Sequence, residues 1–257
     1  MTDTTMTATI TAARALACLD LTNLDDDCDL EAVAALCARA NTPHGAVAAV
    51  CVWPRFVAAA KAALAGTPVR VATVVNFPEG TAPIAATLGE VRGALADGAD
   101  EIDLVVPWRR LAAGEPAAVT DEVAAVKAAA GRARVKAILE TGSLGDAAKI
   151  RAAAEAALAG GADFLKTSTG KVAVNATPEA AAILLEAIRA SGRDVGLKPA
   201  GGIRTLADAG TYLGLCDRMM GDGWAVPTHF RIGASGVLMA LLATLDGTTA
   251  PAAGGRY

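Results

Sequence analysis

RVKAILETGSLGDAAKIRAAAEAALAGGADFLK, residues 134–166, reads as one strand–helix–strand unit. Arg134–Leu139 forms the first strand, and period-two alternation puts Lys136 and Ile138 on one face of it. Asp146 stands where a helix cap belongs, and the stretch Asp146–Leu158 is rich in Ala, the best helix former. Gly160–Gly161 supplies the C-cap, and Asp163–Lys166 is the next strand. A strand that returns through a helix to another strand is the unit of a parallel sheet.

The same alternation extends in both directions. Strands are expected at Ala17–Asp20, Val47–Val52, Arg70–Val75 and Glu101–Val106 on one side, and at Val195–Lys198 and Phe230–Gly233 on the other. Helices are expected at Asp29–Arg39, Pro54–Leu64, Ile84–Asp97, Val119–Ala130, Pro178–Ser191 and Leu206–Leu215. No Ser/Pro-rich linker or shift in composition marks a boundary. Eight strands alternating with helices in 257 residues is the size of a single α/β domain, a (β/α)8 or TIM barrel spanning 1–257. An open doubly wound sheet lacks support, because no G-x-G-x-x-G follows the first strand. The polar, Thr-rich residues 1–12 and residues 247–257, which include Pro251–Gly255, are expected to be flexible tails.

Composition narrows the function. The chain is 53% hydrophobic with a mean hydropathy of +0.40, enough for a core without disulfides. A net charge of −4 offers no general field for nucleic acid or an anionic membrane, so neither is expected as a partner. Met1–Thr11 lacks the basic start and apolar run of a signal peptide. Ile232–Leu245 is too short to span a bilayer. Cys18, Cys28, Cys37, Cys51 and Cys216 are odd in number and match no zinc spacing, which suits a reduced, cytoplasmic setting.

In a parallel barrel the chemistry sits at the C-terminal strand ends. Here those ends are polar: Asp20, Asn76, Asp103, Lys136, Lys166 and Lys198 lie in or just after strands. Alternation places Glu101 with Asp103, Phe164 with Lys166, and Gly196 with Lys198, on faces that should point inward. The chain has seven lysines and sixteen arginines, and Lys136, Lys166, Lys171 and Lys198 are the lysines in strands or just after them. One interior lysine could be a structural ion pair with Asp103 or Glu101. Three near one acid favour function. A lysine amine is nucleophilic only when neutral, and burial and a neighbouring ammonium both favour that form. Such an amine attacks a carbonyl to give an imine, an electron sink for carbon–carbon chemistry that requires neither metal nor cofactor. Asp103 could shuttle the protons.

Three glycine-bearing segments follow consecutive strands: Ser168–Lys171, Ala200–Gly202 and Gly233–Gly236. Glycines let backbone N–H groups approach an anion, and late-strand loops are the usual phosphate position in such barrels. Tight turns alone would explain one of them; three around a lysine cluster favour phosphate. Other features carry less. Gly170–Lys171 lacks the first glycine and the Ser/Thr of a P-loop. His44 and His229 are too few and too far apart for a metal site. Asp25–Asp27 reads as a solvated helix start, Cys51 as a small buried hydrophobe, and Trp53, Trp108 and Trp224 as packing anchors.

The quoted segments identify a resemblance. Asp20–Leu21–Thr22, VNFP at 75–78, EID at 101–103, DFLKTSTGKVAVNATP at 163–178, KPAGG at 198–202 and GAS at 233–235 resemble the deoxyribose-phosphate aldolases, class I aldolases with a (β/α)8 fold. The resemblance covers about residues 17 to 236 and the terminal Tyr257. It implies that Lys166 forms the Schiff base, that Lys198 is the second lysine lowering its pKa, and that Asp103 relays protons. Lys136, Asp20, Asn76 and Thr167 match substrate-pocket positions. Gly170, Lys171, Gly201, Gly202, Gly233, Ser235 and Gly236 match the phosphate loops. Tyr257 matches a tyrosine that reaches the site from a mobile tail. The implied substrates are a small phosphosugar and aldehydes, and a homodimer is possible in such a family. Gly236 departs from the pattern, which has a second serine there. A barrel isomerase using the lysines only for charge, or a non-catalytic phosphosugar binder, remain the competing readings.

Overall fold

The structure, a computed structural model, describes residues 3–248. Eight strands form one parallel sheet: β1 (Leu19–Asn23), β4 (Ala49–Val52), β5 (Arg70–Val75), β6 (Glu101–Val105), β7 (Arg134–Ile138), β8 (Phe164–Lys166), β9 (Gly196–Lys198) and β10 (Ile232–Ala234). A short antiparallel pair, β2 (Asn41–Thr42) and β3 (Gly45–Ala46), lies outside it. β10 pairs with β1, and the order runs unbroken from there to β9. The seam between β9 and β10 is closed by bridges Leu197↔Phe230 and Ala200↔Gly233, so the sheet returns on itself as a barrel.

The expected helices ring the barrel: α2 (Leu30–Ala38), α3 (Val57–Ala63), α4 (Ile84–Ala96), α6 (Pro116–Ala130), α8 (Ala147–Ala159), α9 (Pro178–Ser191), α10 (Leu206–Met220) and α11 (Val237–Leu245). Their starts follow the capping chemistry. Asp29 accepts from Ala32 N, Asp146 from Ala148 N and Lys149 N, and Thr177 from Ala180 N. Two short helices, α5 (Trp108–Ala112) and α7 (Thr141–Leu144), occupy βα loops. The main core lies between sheet and helices, with the outward faces of the strands, such as Ile102, Leu104, Val135 and Leu165, fully buried.

The flexible start expected over 1–12 is corrected. Residues Asp3–Ala17 form a helix, α1, packed on α10 and α11. Ala12, Ala15 and Leu16 give it a buried stripe, and Arg14 forks onto Asp217 at 2.6 and 2.7 Å. Its threonines concealed it: Thr9 and Thr11 hydroxyls donate back to the carbonyls of Thr5 and Thr7, which satisfies them within a helix. The first and last strands also begin two residues later than expected, at Leu19–Asn23 and Ile232–Ala234. α10 runs on to Met220 behind a Thr205–Asp208 capping box. The tail expected over 247–257 lies, from residue 249 on, outside the described residues.

Candidate active site

Register brings the charged residues together. Asp103 on β6 is the Cα partner of Lys136 on β7, and Lys166 on β8 is the partner of both Ile138 and Lys198. Because alternate residues share a face, four neighbouring strands aim these side chains at one point inside the barrel. Asp103 stands at the centre. Its Oδ1 accepts from Lys136 Nζ at 2.7 Å, and its Oδ2 accepts from both Lys166 Nζ and Lys198 Nζ at 2.7 Å. None of the four is more than 1% exposed.

The cluster extends deeper. Asp20 Oδ2 lies 2.6 Å from Lys198 Nζ and 3.3 Å from Lys136 Nζ. Glu101 Oε2 lies 2.7 Å from Lys136 Nζ. Arg231, just ahead of β10, donates from Nη1 to Asp20 Oδ1 at 2.6 Å and from Nη2 to Glu101 Oε1 at 2.7 Å. Four buried cations thus face three buried carboxylates. Lys136 touches all three acids, Lys198 two and Arg231 two, whereas Lys166 touches only Asp103.

These contacts decide the protonation of the acids. Burial alone would push the Asp103 carboxyl up, but Lys136, Lys166 and Lys198 outweigh it and hold it well below the usual carboxylate range. Asp20 and Glu101 behave likewise, burial being overcome by Lys198, Arg231 and Lys136 for the first and by Lys136 and Arg231 for the second. Burial would lower Lys136, but Asp103, Glu101 and Asp20 raise it, so its proton is locked in place. Lys136 is therefore a fixed cation beneath Asp103.

The loops above the lysines are shaped by glycine. Gly170, Gly201 and Gly202 have φ of +87°, +80° and +83°, a region that disfavours other side chains. At Gly233 a Cβ would stand 2.7 Å from Ala200 Cβ and 3.0 Å from Lys198 Cε, so its absence leaves room for the Lys198 side chain. Thr167 Oγ1 accepts from Ala200 N at 3.0 Å and ties the β8 end to the β9 loop. Lys171 N donates to Thr169 Oγ1, while Lys171 Nζ reaches the exposed Asp26 at 3.2 Å. That partner is a weak surface contact, easily exchanged for an anion. Ser235 and Gly236 precede α11, with Gly236 at its N-cap.

Asn76 is bonded apart from the charged cluster. Its φ of +53° turns it away from the strand's alternation. Its Nδ2 donates to Val105 O and to Glu122 Oε1, and its Oδ1 accepts from Ala82 N, so the amide is committed to the turn and to α6. It is not brought to the lysines. Tyr257 lies outside the described residues.

Two contributors escaped the sequence reading. Arg231 is two residues before Gly233, in phase with an inward face, but its acids are 130 and 211 positions away in the chain. Glu140 (φ +53°) follows β7 and binds Thr169 through both N–H and hydroxyl, at 3.2 and 2.6 Å. Burial pushes the Glu140 carboxyl up against the Thr169 hydrogen bonds. No local pattern marked it.

The description "DeoC/LacD family aldolase" matches residues 10–238, from α1 into α11, which takes in all eight barrel strands and every member of the charged cluster. The chain belongs to this aldolase family. Within reach of the family, the chain is 56% identical over 238 residues to a deoxyribose-phosphate aldolase of Agrobacterium fabrum strain C58, covering 92% of each chain. Its fold matches the crystal structure of a proposed deoxyribose-phosphate aldolase from Toxoplasma gondii ME49 at a TM-score of 0.87, with 30% identity, covering 95% of this chain and 97% of that one. A tetrameric deoxyribose phosphate aldolase from Aeropyrum pernix matches at 0.75, with 25% identity, covering 93% and 96%. The family's barrel is thus the barrel described here. Among the described residues, no helix is long and apolar enough to cross a membrane.

Proposed function

We propose that this aldolase cleaves 2-deoxy-D-ribose 5-phosphate reversibly to acetaldehyde and D-glyceraldehyde 3-phosphate through a Schiff base on Lys166. The observation that carries the reading is the arrangement Lys166–Asp103–Lys198, with both ammonium groups 2.7 Å from one carboxylate oxygen in a dry interior. Attack on a carbonyl needs a neutral amine. The network holds one cation more than it has carboxylates, and Lys166 has a single acidic partner. An imine there disturbs one ion pair, where at Lys136 it would disturb three.

The open-chain sugar presents its C1 aldehyde to Lys166 Nζ. Addition gives a carbinolamine, and loss of water gives a protonated imine. Removal of the C3 hydroxyl proton then breaks the C2–C3 bond. The electron pair enters the imine as an enamine, and C3 leaves as the aldehyde carbon of glyceraldehyde 3-phosphate. Protonation at C2 and hydrolysis by water return Lys166 and release acetaldehyde. Asp103, ionised at rest, accepts the C3 hydroxyl proton, directly or through water, and returns a proton to C2 of the enamine. Lys198 bridges Asp20 and Asp103 and keeps positive charge beside the forming imine. Thr167 fixes the strand end that carries Lys166.

For the phosphate, Gly170, Lys171, Gly201, Gly202, Gly233, Ser235 and Gly236 supply backbone N–H groups, one partly exposed cation and the N-terminus of α11. Gly236 has an ordinary helical φ of −65°, a backbone conformation that a serine also adopts. Without that hydroxyl, the chain should discriminate less between phosphorylated and free sugar. The ratio of kcat/KM for the two should rise in Gly236→Ser; an unchanged ratio removes this point. All five cysteines are free and buried, which supports a reduced cytoplasmic setting.

The test is release of acetaldehyde from deoxyribose 5-phosphate by wild type and Lys166→Leu. Turnover lost with the fold retained supports the reading; near-normal turnover contradicts it. Substrate-dependent inactivation by borohydride separates it from an isomerase or a binder, since only an imine is fixed covalently.

A further inference from the structure

Arg231 takes no part in the reaction just described, yet it holds the floor of the network. It is 2% exposed. Its guanidinium is fully divided: Nη1 donates to Asp20 Oδ1 at 2.6 Å and Glu101 Oε2 at 3.0 Å, Nη2 to Glu101 Oε1 at 2.7 Å, and Nε to Pro227 O at 2.6 Å. The Phe164 ring stands against it, 5.6 Å from its centroid. Asp20 divides in turn, with Oδ1 facing Arg231 and Oδ2 facing Lys198 and Lys136. A line of short contacts therefore runs from Arg231 through Asp20, Lys198 and Asp103 to Lys166.

Among the buried groups of the network the charge count turns on this residue, with the half-exposed Arg70 at the solvent edge of Glu101 in either case. With Arg231, four cations meet three carboxylates. Without it, three meet three, and the proton on Lys166 becomes part of a balanced set. In a water-excluded interior such a difference acts at long range.

We propose that Arg231 is a positioning residue for imine formation: by neutralising Asp20 and Glu101 from beneath, it frees Lys136 and Lys198 to be shared with Asp103 and makes Lys166 the surplus cation of the network. The inference rests on Lys166 being the imine-forming lysine. It extends that reading to a residue that touches neither Lys166 nor Asp103.

The groups around Lys166 on every side are accounted for. Asp103 and Glu101 come from β6, Lys136 from β7, Lys198 from β9 and Asp20 from β1. Cys51 faces the cluster from β4, and burial pushes its thiol up, so it adds no charge. Glu140, buried after β7, accepts from Thr169 and also interacts electrostatically with Lys166, while burial pushes its carboxyl up. Arg70, half exposed, stands 3.8 Å from Glu101 Oε1 at the solvent edge.

The experiment follows the rate of borohydride-trapped adduct on Lys166, formed with deoxyribose 5-phosphate, against pH in wild type, Arg231→Met, Arg231→Lys and Glu101→Gln. Removing one buried charge from this line of contacts should move the acid limb of Arg231→Met up by about one pH unit. Arg231→Lys keeps the charge and should restore the limb to within a few tenths of wild type. Glu101→Gln removes an anion and should move it down. A residue that only braces the fold would lower the yield without moving the limb. An unmoved limb in folded Arg231→Met overturns the inference. If that variant does not fold, a limb in Glu101→Gln that stays or rises overturns it instead. No Lys166 adduct in wild type would refute the Schiff-base reading itself, a separate failure.

Discussion

On β4 and β5 the side chains facing the barrel axis are Ala49, Cys51, Ala72 and Val74, which with Leu24 form a small apolar cluster edged by Trp53 and Phe77. On β6 to β9 the axis-facing side chains include Asp103, Lys136, Lys166 and Lys198, with Asp20 and Arg231 completing the set across the seam. One sheet thus presents two interior walls of opposite chemistry. This contrast keeps the charges paired with one another. The apolar wall offers no carboxylate to draw a lysine away, and it lowers the local dielectric, which strengthens each charged contact opposite. A network of seven ions is costly to bury, and it is weak evidence for stability. Here its excess of one cation is what the proposed chemistry uses.

The sharpest way to break this contrast is to remove the acid at the centre of the charged wall. Asp103→Leu leaves three ammonium groups without their shared partner. Breaking a buried pair costs about 3–5 kcal/mol, so the urea midpoint should fall steeply and turnover should vanish. A variant with wild-type stability would contradict the central place given to Asp103.

Next, an acid can be placed on the apolar wall. Cys51→Asp sets a fourth carboxylate against the cluster and removes the surplus of positive charge. Turnover at neutral pH should drop by about 10- to 100-fold, following a shift of roughly one to two pH units in the limb of imine formation. Retained activity across the same pH range would show that the neutrality of that wall is incidental.

The pH dependence of stability sharpens the contrast further. Asp20, Glu101 and Asp103 are depressed in the folded state, so their contribution is present above the unfolded carboxylate pKa, about 4, and is lost as pH falls through their folded values. Lys136 is raised, so its contribution is full below the unfolded lysine pKa, about 10.4, and is lost as pH rises from there through its folded value. Urea midpoints should fall below about pH 4 and above about pH 10.4 and be flatter between. Lys136→Met should weaken the alkaline fall. An unchanged alkaline slope would contradict the locked proton.

The smallest effect is expected on the apolar wall itself. Cys51→Ala removes one sulfur from a packed site and should cost about 1 kcal/mol, with kcat unchanged. A loss of turnover larger than the loss of stability would give Cys51 a part in the chemistry.

Much of this was legible in the sequence, because the barrel's inner face follows a period of two. Glu101 with Asp103, Lys136 with Ile138, and Phe164 with Lys166 fall inward by that rule alone, and the strand–helix alternation supplied the closed sheet. What stayed hidden depends on contacts across the seam or on a single dihedral. Arg231 looks like one arginine among sixteen until β10 meets β1 beside β6. Asn76 sits at an inward position by count, but its positive φ rotates it under α6. The first helix hid behind threonines whose hydroxyls bond to their own backbone.

The most direct measurement is to incubate the protein with deoxyribose 5-phosphate, reduce with borohydride, and locate the adduct by peptide mass spectrometry. Modification is expected at Lys166, the lysine paired in the cluster with Asp103 alone, and none at Lys136 or Lys198. An adduct on either of those two, or none while sugar is turned over, would contradict this expectation.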